Sequence, residues 1–374
     1  MTDELPLANI RVMDLSRVLA GPFATMLLAD LGADVIKLEP PEGDETRAWG
    51  PPWWGDPADR RSAYFASVNR NKRGIVLDLR ADEGRAALDR LLADADLLVH
   101  NYRPSTAARL GLEPEGLAAR HPRLIVASVG GFPGADADRP AYDLLAQAVS
   151  GLMSVTGEPD GSPMKVGVAL LDLIAGLEMA VGALAALVGR PDTGSPRVQV
   201  SLIEAGVTSL INVLGNHLAD ATTGRHGNAH ANIAPYESFT ARDGHLVIAV
   251  GNDAQFGRLL GVLGLTDDGR FATNPQRVAL RGQLSAWLGE AIATWDRTAL
   301  VTALGAVDVA AGPVNSVAEA VDMMGPGWVQ TLDGIQLPPS PIRIGEVASA
   351  TRMPPPLLGE HNSEVLEPRT PPAS

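Results

Sequence analysis

The sequence predicts an α/β protein with a Rossmann-like parallel sheet in a large domain, joined to a second, smaller α/β domain. Strand-like apolar segments alternate with helix-like segments from residue 10 to residue 129. The chain has 374 residues, which is longer than the segment that a single hydrophobic core usually organises, so we expect two domains. Because 45% of the residues are hydrophobic and only 4% are aromatic, Leu, Val and Ala must fill these cores.

The first part of the chain indicates successive βαβ units. In order, they are the strand IRVMDLS, the helix GPFATMLLADL, the strands ADVIKLE and GIVLDL, the helix ADEGRAALDRLLADA, the strand DLLVHN, the helix PSTAARLGL and the strand RLIVASV. Such spacing implies parallel strands with a ligand at their carboxyl ends. SRVLAGP follows the first strand instead of G-x-G-x-x-G, and the sequence contains no P-loop motif, so NAD-dependent and P-loop chemistry are excluded.

After about residue 140 the pattern becomes helical, in YDLLAQAVSGLMSVTG, in the helix around Asp172 and in SLIEAGVTSLINVLGNHL. The Gly-rich TTGRHGNAHANIAPY marks a domain boundary. A β-hairpin turning at Asp243-Gly244 and helices around Gln255–Leu263 and Ala279–Thr294 follow. We therefore expect a large Rossmann-like, ligand-binding domain at 1–200, a linker helix and loop at 201–230, a small α/β domain at 231–315 and a Pro-rich return to the large domain at 316–374.

Composition excludes several classes of function. The net charge of −14 argues against nucleic acid as a partner. The absence of Cys excludes a Cys nucleophile, thiolate metal sites and disulfides, and the seven His show no metal-ligand spacing. No uninterrupted apolar run is long enough to span a bilayer, and the acidic N-terminus is unlike a secretory signal, so we expect a cytoplasmic protein that does not enter a membrane.

One basic stretch stands out in this acidic chain. Arg60 to Arg73 (RRSAYFASVNRNKR) contains five basic residues and no acidic one. It is either a solvated loop or a site for a small molecule with several phosphates.

Asp172 is the only charged residue in VGVALLDLIAGL (166–177). A carboxylate among apolar residues is costly to desolvate, and an unpaired one is typical of a reactive site. We expect it at a strand-to-helix junction facing a pocket. The alternative is that Asp172 only caps the following helix, and both interpretations can hold together because a cap position also directs helix N–H groups toward a ligand.

Taken in order, several segments resemble the class III CoA-transferase family (formyl-CoA and carnitine CoA-transferase type), which is related to the alpha-methylacyl-CoA racemases. They are VLAGPFATMLLADLGADVIKLEPPEGD, NRNKRGIVLDL, ADLLVHNYRPSTAARLGL, RPAYDLLAQAVSGLMSVTGEPDGSPMKVGVALLDLIAGL and PPPLLGEH. The resemblance covers nearly the whole chain. It implies a Rossmann-like large domain, a smaller α/β domain and an interlocked homodimer.

The resemblance also implies a covalent mechanism in which Asp172 is the nucleophile, passing through an aspartyl anhydride and an aspartyl-CoA thioester. No tightly bound cofactor or metal is expected, and CoA esters are substrates. The implied CoA-binding residues are Leu19, Ala20, Leu77, Arg80, Asn101, Tyr102, Arg109 and Leu110. Where the family often has Arg after the second strand, this chain has Pro40, so a phosphate contact is lost there or replaced from Arg60–Arg73.

Tyr142 favours a transferase over a racemase. It stands where the racemases carry a His, and a phenol with a pKa near ~10 is poorly matched to abstract an α-proton at neutral pH. By resemblance, Tyr142 lies close to the acyl group; by itself it could also be a packing aromatic at a helix start. His226 and His230 keep the racemase open as an alternative, and a CoA-ester binding protein without turnover is a third hypothesis.

The acceptor is expected to be a small carboxylate, with succinyl-CoA as donor and a C4–C6 dicarboxylate as acceptor. This expectation follows by analogy with transferases that share the NRNKR and GEPDG-type segments. A dicarboxylate needs an Arg near Asp172 to bind its second carboxylate. Arg47 is the first candidate, with Arg17 and Arg225 as others, although each could equally be a surface arginine in a solvated ion pair.

Overall fold

The large sheet consists of six parallel strands, and its order is that of a Rossmann sheet. The computed structural model describes residues 5–57, 60–190, 194–345, 347–348 and 351–367. The strands are β1 (Arg11–Asp14), β2 (Asp34–Glu39), β3 (Lys72–Val76), β4 (Leu97–His100), β5 (Ile125–Gly130) and β6 (Arg197–Ser201). They are arranged β3-β2-β1-β4-β5-β6. The predicted fold class is confirmed, and the sheet reverses its winding direction between β1 and β4.

Sixteen α-helices accompany the strands of the described residues. They are α1 (Ala20–Asp30), α2 (Ala63–Ser67), α3 (Asp82–Leu92), α4 (Pro104–Arg109), α5 (Pro114–Arg120), α6 (Asp143–Val149), α7 (Leu152–Val155), α8 (Leu170–Val188), α9 (Leu202–Thr208), α10 (Ile211–Leu218), α11 (Asp253–Leu263), α12 (Asn274–Ala279), α13 (Arg281–Ile292), α14 (Arg297–Gly305), α15 (Val317–Met323) and α16 (Asn362–Leu366). Small residues of α1 and α8, including Ala24, Ala175 and Ala183, are buried together in one core with strand residues such as Val12 and Ile125. Alanine and glycine on both helices allow this close approach.

The chain forms two compact units. The larger comprises residues 1–152, 165–211 and 326–374, and the smaller comprises 153–164 and 212–325. The smaller unit holds an antiparallel sheet of β7 (Tyr236–Ala241), β8 (Gly244–Ala249) and β9 (Ala310–Pro313), with its own core around Phe239, Leu246 and Leu288. The β7–β8 hairpin turns at Asp243-Gly244 as predicted. Residues 153–164, which the sequence assigned to the large domain, belong to the smaller unit.

Two local predictions are wrong. Only helices were expected between about residue 140 and the Gly-rich link at 222–236, yet β6 completes the large sheet by pairing with β5. The helix predicted over SLIEAGVTSLINVLGNHL is two helices, α9 and α10, because Ile211 adopts a positive φ of 41° that a continuous helix does not allow.

Helix α8 is long and apolar enough to cross a membrane when judged by length and composition alone. It carries Asp172 and Glu178, and Leu171, Ala175 and Met179 are buried in the core of the larger unit. The core helix of a soluble protein passes the same test, so the observation is weak evidence for a membrane span.

Candidate active site

The loops that follow β1 and β4 are joined where the sheet reverses its winding. Asn101 comes directly after β4, and its Oδ1 accepts the Arg17 N–H at 2.9 Å while its Nδ2 donates to the Arg17 carbonyl at 2.7 Å. This paired contact fixes the loop after β1 against the loop after β4. In open α/β sheets, ligands bind in the crevice outside the carboxyl ends of the strands at this reversal.

The loop after β1 is strained where it enters α1. Val18 has a φ of 69°, a left-handed conformation that is costly for a β-branched residue. Its N–H donates to Asp44 Oδ2 at 3.3 Å, which helps to hold the conformation. As a result, the backbones of Leu19 and Ala20 are presented at the start of α1.

A cavity of about 280 Å³ opens at this crevice. Its lining includes five residues that the resemblance assigned to the site, namely Leu19, Ala20, Asn101, Tyr142 and Asp172. Three arginines also line it: Arg17, Arg103 and Arg139. We call this space the Asp172 cavity. The structure thus brings the expected nucleophile to the carboxyl edge of the sheet, next to the strained loop.

Asp172 is the third residue of α8, not its cap. The N-cap position is Ala169, no strand precedes it, and residues 162–169 are irregular, so the expected strand-to-helix junction and the simple capping interpretation are both wrong. The Asp172 carboxylate accepts no hydrogen bond from the residues that the structure describes. It is therefore a partly buried carboxylate whose oxygens are available to a ligand.

Asp143, the first residue of α6, performs the capping instead. Its Oδ1 accepts the backbone N–H of Leu171 at 2.8 Å and that of Asp172 at 3.4 Å. Gln147, fully buried one turn later, donates to Asp143 Oδ2 at 2.6 Å and accepts the Val166 N–H at 2.8 Å. The side chains of α6 thereby fix both the segment before α8 and its first turn, which positions Asp172.

The same arrangement makes Asp172 difficult to ionise. Burial, and then the nearby negative charge of Asp143, raise the pKa of the Asp172 carboxyl from 3.8 to about 7. The Tyr64 phenol is affected by the same charges, since burial and then Asp172 and Asp143 raise its pKa to about 12. A desolvated carboxylate of this kind becomes more stable when it forms a neutral covalent bond, which suits a nucleophile.

A second cavity, of about 200 Å³, lies further along the same edge of the sheet. It is lined by four more of the implied CoA-binding residues, Leu77, Arg80, Tyr102 and Leu110, and by Pro40. Arg17 lines both cavities, and its guanidinium carbon lies 5.6 Å from the centre of the Tyr102 ring. We call this space the Arg80 cavity. Together the two cavities follow the carboxyl edge from Asp172 outward.

Two predicted residues line neither cavity. Arg109 is exposed and donates to Thr106 Oγ1 at 3.2 Å. Arg47 forms two 2.7 Å hydrogen bonds with Glu39, donates to the Pro356 carbonyl and lies over the Phe65 ring. Glu39 therefore occupies the fork of the Arg47 guanidinium that would bind a substrate carboxylate.

The other candidates from the helical link lie in the smaller unit. Arg225 donates to the backbone carbonyls of Glu158, Pro159 and Gly161. His226 is in the same loop, and His230 Nδ1 accepts the Asn232 N–H at 3.0 Å. The structure does not place these residues in the lining of the Asp172 cavity.

The polyphosphate interpretation of the basic stretch is not supported, because internal contacts engage its cations. Lys72 is fully buried and donates to Asp14 at 2.9 Å, Arg70 pairs with Asp30 at 2.6 Å, and Arg73 pairs with Asp34 at 2.8 Å. Arg61 pairs with Asp333, and Arg60 lies over the Trp53 ring. These contacts hold β1, β2, β3 and the end of α1 together, so the stretch serves the fold.

Sequence reasoning missed the residues that position Asp172. Asp143 and Gln147 lie within the RPAYDLLAQ segment. The one signal in the sequence was that Asp143 is an acidic residue at the start of a predicted helix, which is typical of capping. The arginines Arg103 and Arg139 were missed as well. Within the described ranges, no group of three or more His, Cys, Asp or Glu side chains could hold a metal ion.

The sequence and the fold are similar to those of known proteins. The model of CoA-transferase family III matches residues 7–362. A succinate–glutarate CoA-transferase of Agrobacterium fabrum is 41% identical, covering 96% of this chain and 95% of the relative. An acetyl-CoA:oxalate CoA-transferase of Acetobacter aceti is 39% identical over 91% and 89%. The crystal structure of a CAIB/BAIF family protein from Brucella suis is 40% identical, covers 97% of this chain and 100% of that one, and has a TM-score of 0.86.

Proposed function

The chain belongs to CoA-transferase family III and is a CoA-transferase, and on that premise we propose that Asp172 carries CoA from succinyl-CoA to a C4–C6 dicarboxylate. The observation that carries this proposal is the Asp172 carboxylate itself. It lines a cavity at the reversal of the sheet, no donor among the described residues neutralises it, and its pKa is raised to about 7. Both relatives named above act, by their names, on dicarboxylates.

The proposed reaction consists of two exchanges at the Asp172 carboxyl. A carboxylate oxygen of Asp172 attacks the thioester carbonyl carbon of succinyl-CoA, and the C–S bond breaks. CoA leaves as thiolate, and a mixed anhydride of Asp172 and succinate remains. The thiolate then attacks the Asp172 carbonyl carbon, which releases succinate and leaves an aspartyl-CoA thioester. The acceptor carboxylate attacks the carbonyl carbon of this thioester, the C–S bond breaks, and CoA thiolate leaves a second mixed anhydride. The thiolate then attacks the acceptor's acyl carbon in that anhydride, and the bond from this carbon to the Asp172 oxygen breaks. The new CoA ester forms and Asp172 is regenerated without net proton transfer.

The arginines of the Asp172 cavity support a dicarboxylate acceptor. Arg17 is already paired with Glu45 at 3.1 Å. Arg103 donates to the Asp138 carbonyl, and Arg139 pairs with the exposed Asp136 at 3.2 Å, a kind of surface contact that is weak. Among the described residues, these contacts use one nitrogen of each guanidinium, so most N–H groups of Arg103 and Arg139 remain for a second carboxylate.

We further propose an interlocked homodimer in the cytoplasm, as the resemblance implies. The outer face of α8 supports the homodimer, because its apolar side chains Leu177, Val181 and Val188 are 48%, 67% and 90% exposed and a partner subunit would cover them. Sedimentation of the enzyme at decreasing concentration should show an active dimer, whereas a stable, active monomer would contradict the homodimer. Tyr142, which is 60% exposed in the Asp172 cavity, would then be covered by the bound acyl group or the partner.

The proposed reaction is tested by incubating the protein with succinyl-CoA, a methyl-branched acyl-CoA and a pool of small carboxylic acids in deuterated water. Mass spectrometry of every CoA ester then identifies the products. We expect new thioesters of C4–C6 dicarboxylates that disappear in Asp172→Asn. A new thioester of monocarboxylates alone would contradict the proposed acceptor. A deuterium on the branched ester without any new thioester would contradict the transfer mechanism.

A further inference from the structure

The Arg80 cavity is lined by four residues that the resemblance implies for CoA binding, and we take it as the space for the nucleotide end of a CoA ester. It shares Arg17 with the Asp172 cavity, so the two spaces are neighbours at the carboxyl edge of the sheet. A CoA ester whose thioester lies at Asp172 extends its nucleotide in this direction. This inference rests on the proposed function, because it takes Asp172 as the position of the thioester.

The charges that line the Arg80 cavity cancel. Arg80 Nε donates to Asp78 Oδ1 at 2.7 Å, and its Nη2 donates to Asp78 Oδ2 at 3.1 Å and to Glu42 Oε1 at 3.0 Å. Arg17, the other cation in the lining, is paired with Glu45 at 3.1 Å. The cavity therefore presents two carboxylates around one arginine, next to a second arginine that is already neutralised.

Apart from Thr106, the remaining lining is apolar or aromatic. Leu38, Leu77, Leu79 and Leu110 line the cavity together with the Tyr102 ring, and Pro40 has no backbone N–H to donate. Such a surface suits the flat, uncharged adenine base by stacking and contact. It offers little to a phosphate dianion.

We propose that this chain binds the adenosine of CoA in the Arg80 cavity without recognising the 3′-phosphate, and that it binds CoA and 3′-dephospho-CoA about equally well. A phosphate could displace Glu42 and Asp78 from Arg80, since all three side chains are exposed and their ion pairs are weak. The two carboxylates would still lie in the lining, however, and would repel the dianion that Arg80 attracts.

In this proposal, the cation Arg109 contacts a phosphate group that both forms of the ligand share. It lies outside the lining, one residue before Leu110, and is exposed with a bond only to Thr106 among the described residues. The diphosphate is present in CoA and in dephospho-CoA alike. A contact from Arg109 to it therefore does not distinguish the two.

The test is titration calorimetry of the intact enzyme with CoA and with 3′-dephospho-CoA, which does not depend on turnover. The informative variant is the double substitution Glu42→Gln with Asp78→Asn, which releases the Arg80 guanidinium from both ion pairs. The amide side chains keep an oxygen at each position, so the Arg80 backbone N–H retains its acceptor at residue 78. The matched variant is Arg109→Gln. A charge-assisted hydrogen bond to phosphate typically changes affinity by roughly tenfold or more.

We expect the wild type to prefer CoA by less than about fivefold, the double variant to prefer it by roughly tenfold or more, and Arg109→Gln to weaken both ligands equally. A wild-type preference of about fivefold or more would overturn the inference, and so would a double variant that gains no preference. If both ligands bind equally but Asp172 transfers no CoA, the proposed function fails while the inference stands.

Discussion

Replacing Asp172 with Asn removes a carboxylate that is costly to ionise in the folded protein. Burial and then the charge of Asp143 raise the pKa of the Asp172 carboxyl from 3.8 to about 7. Each pKa unit corresponds to about 1.4 kcal/mol, so the ionised group disfavours folding by about 4 kcal/mol at most. The substitution should therefore stabilise the protein while it eliminates catalysis.

The direction of the pH dependence follows from proton binding. Between about pH 4 and pH 7, the folded protein keeps a proton on Asp172 that the unfolded chain releases, so the wild type loses stability as the pH rises through this range. Asp172→Asn has no such proton. We expect the two proteins to have equal stability at about pH 4 and the variant to be more stable above about pH 7, by up to about 4 kcal/mol.

Urea unfolding of both proteins across this pH range measures the difference. Asp94→Asn is the matched control, because Asp94 is exposed and does not line the Asp172 cavity. An Asp172→Asn variant whose advantage over the wild type does not grow between about pH 4 and pH 8 would refute the reasoning. In that case the carboxylate has a partner in solution that the structure does not contain.

Three further outcomes are expected. Asp172→Ala should abolish CoA transfer while calorimetry still detects CoA binding, and residual transfer near the wild-type rate would remove Asp172 from its role. Asp143→Asn should lower the pKa of Asp172 and move the acidic limb of kcat/KM for succinyl-CoA to lower pH, whereas an unmoved limb would show that the Asp143 charge does not act there. Gly176→Ala should destabilise the protein by about 1–3 kcal/mol in thermal unfolding, because its Cβ would lie 2.6 Å from the Ala20 carbonyl. Gly257→Ala, which has open space around it, is the control, and equal effects of the two glycine substitutions would contradict the close approach of α8 to α1.

The alternation of apolar segments was sufficient to predict most of the large sheet. Each of the strands β1 to β5 contains a short apolar run near helix or turn signals, although β3 begins at Lys72, two residues before the predicted GIVLDL. Strand β6 was missed because RVQVS alternates polar and apolar residues over only five positions at the edge of the sheet. Its pairing with β5 depends on the tertiary fold rather than on its own pattern.

The site was predictable where chemistry is visible in one residue, and not where it depends on distant partners. Asp172 is conspicuous as a lone carboxylate in an apolar segment. Its cap comes from Asp143, which is 29 residues earlier and approaches α8 only in the folded chain. The cations of Arg60–Arg73 similarly appeared free in the sequence, because the acids that pair with Arg70 and Lys72 lie 40 and 58 residues away.

The central claim is that the Asp172 carboxyl forms a covalent bond to CoA. The most direct test is intact-mass and peptide mass spectrometry of the enzyme incubated with succinyl-CoA without any acceptor. We expect an adduct equal to one CoA less one water, located on the peptide that contains Asp172, lost on addition of an acceptor dicarboxylate and absent from Asp172→Asn. An enzyme that transfers CoA under the same conditions with no adduct on that peptide, or with the adduct on another residue, would contradict the mechanism.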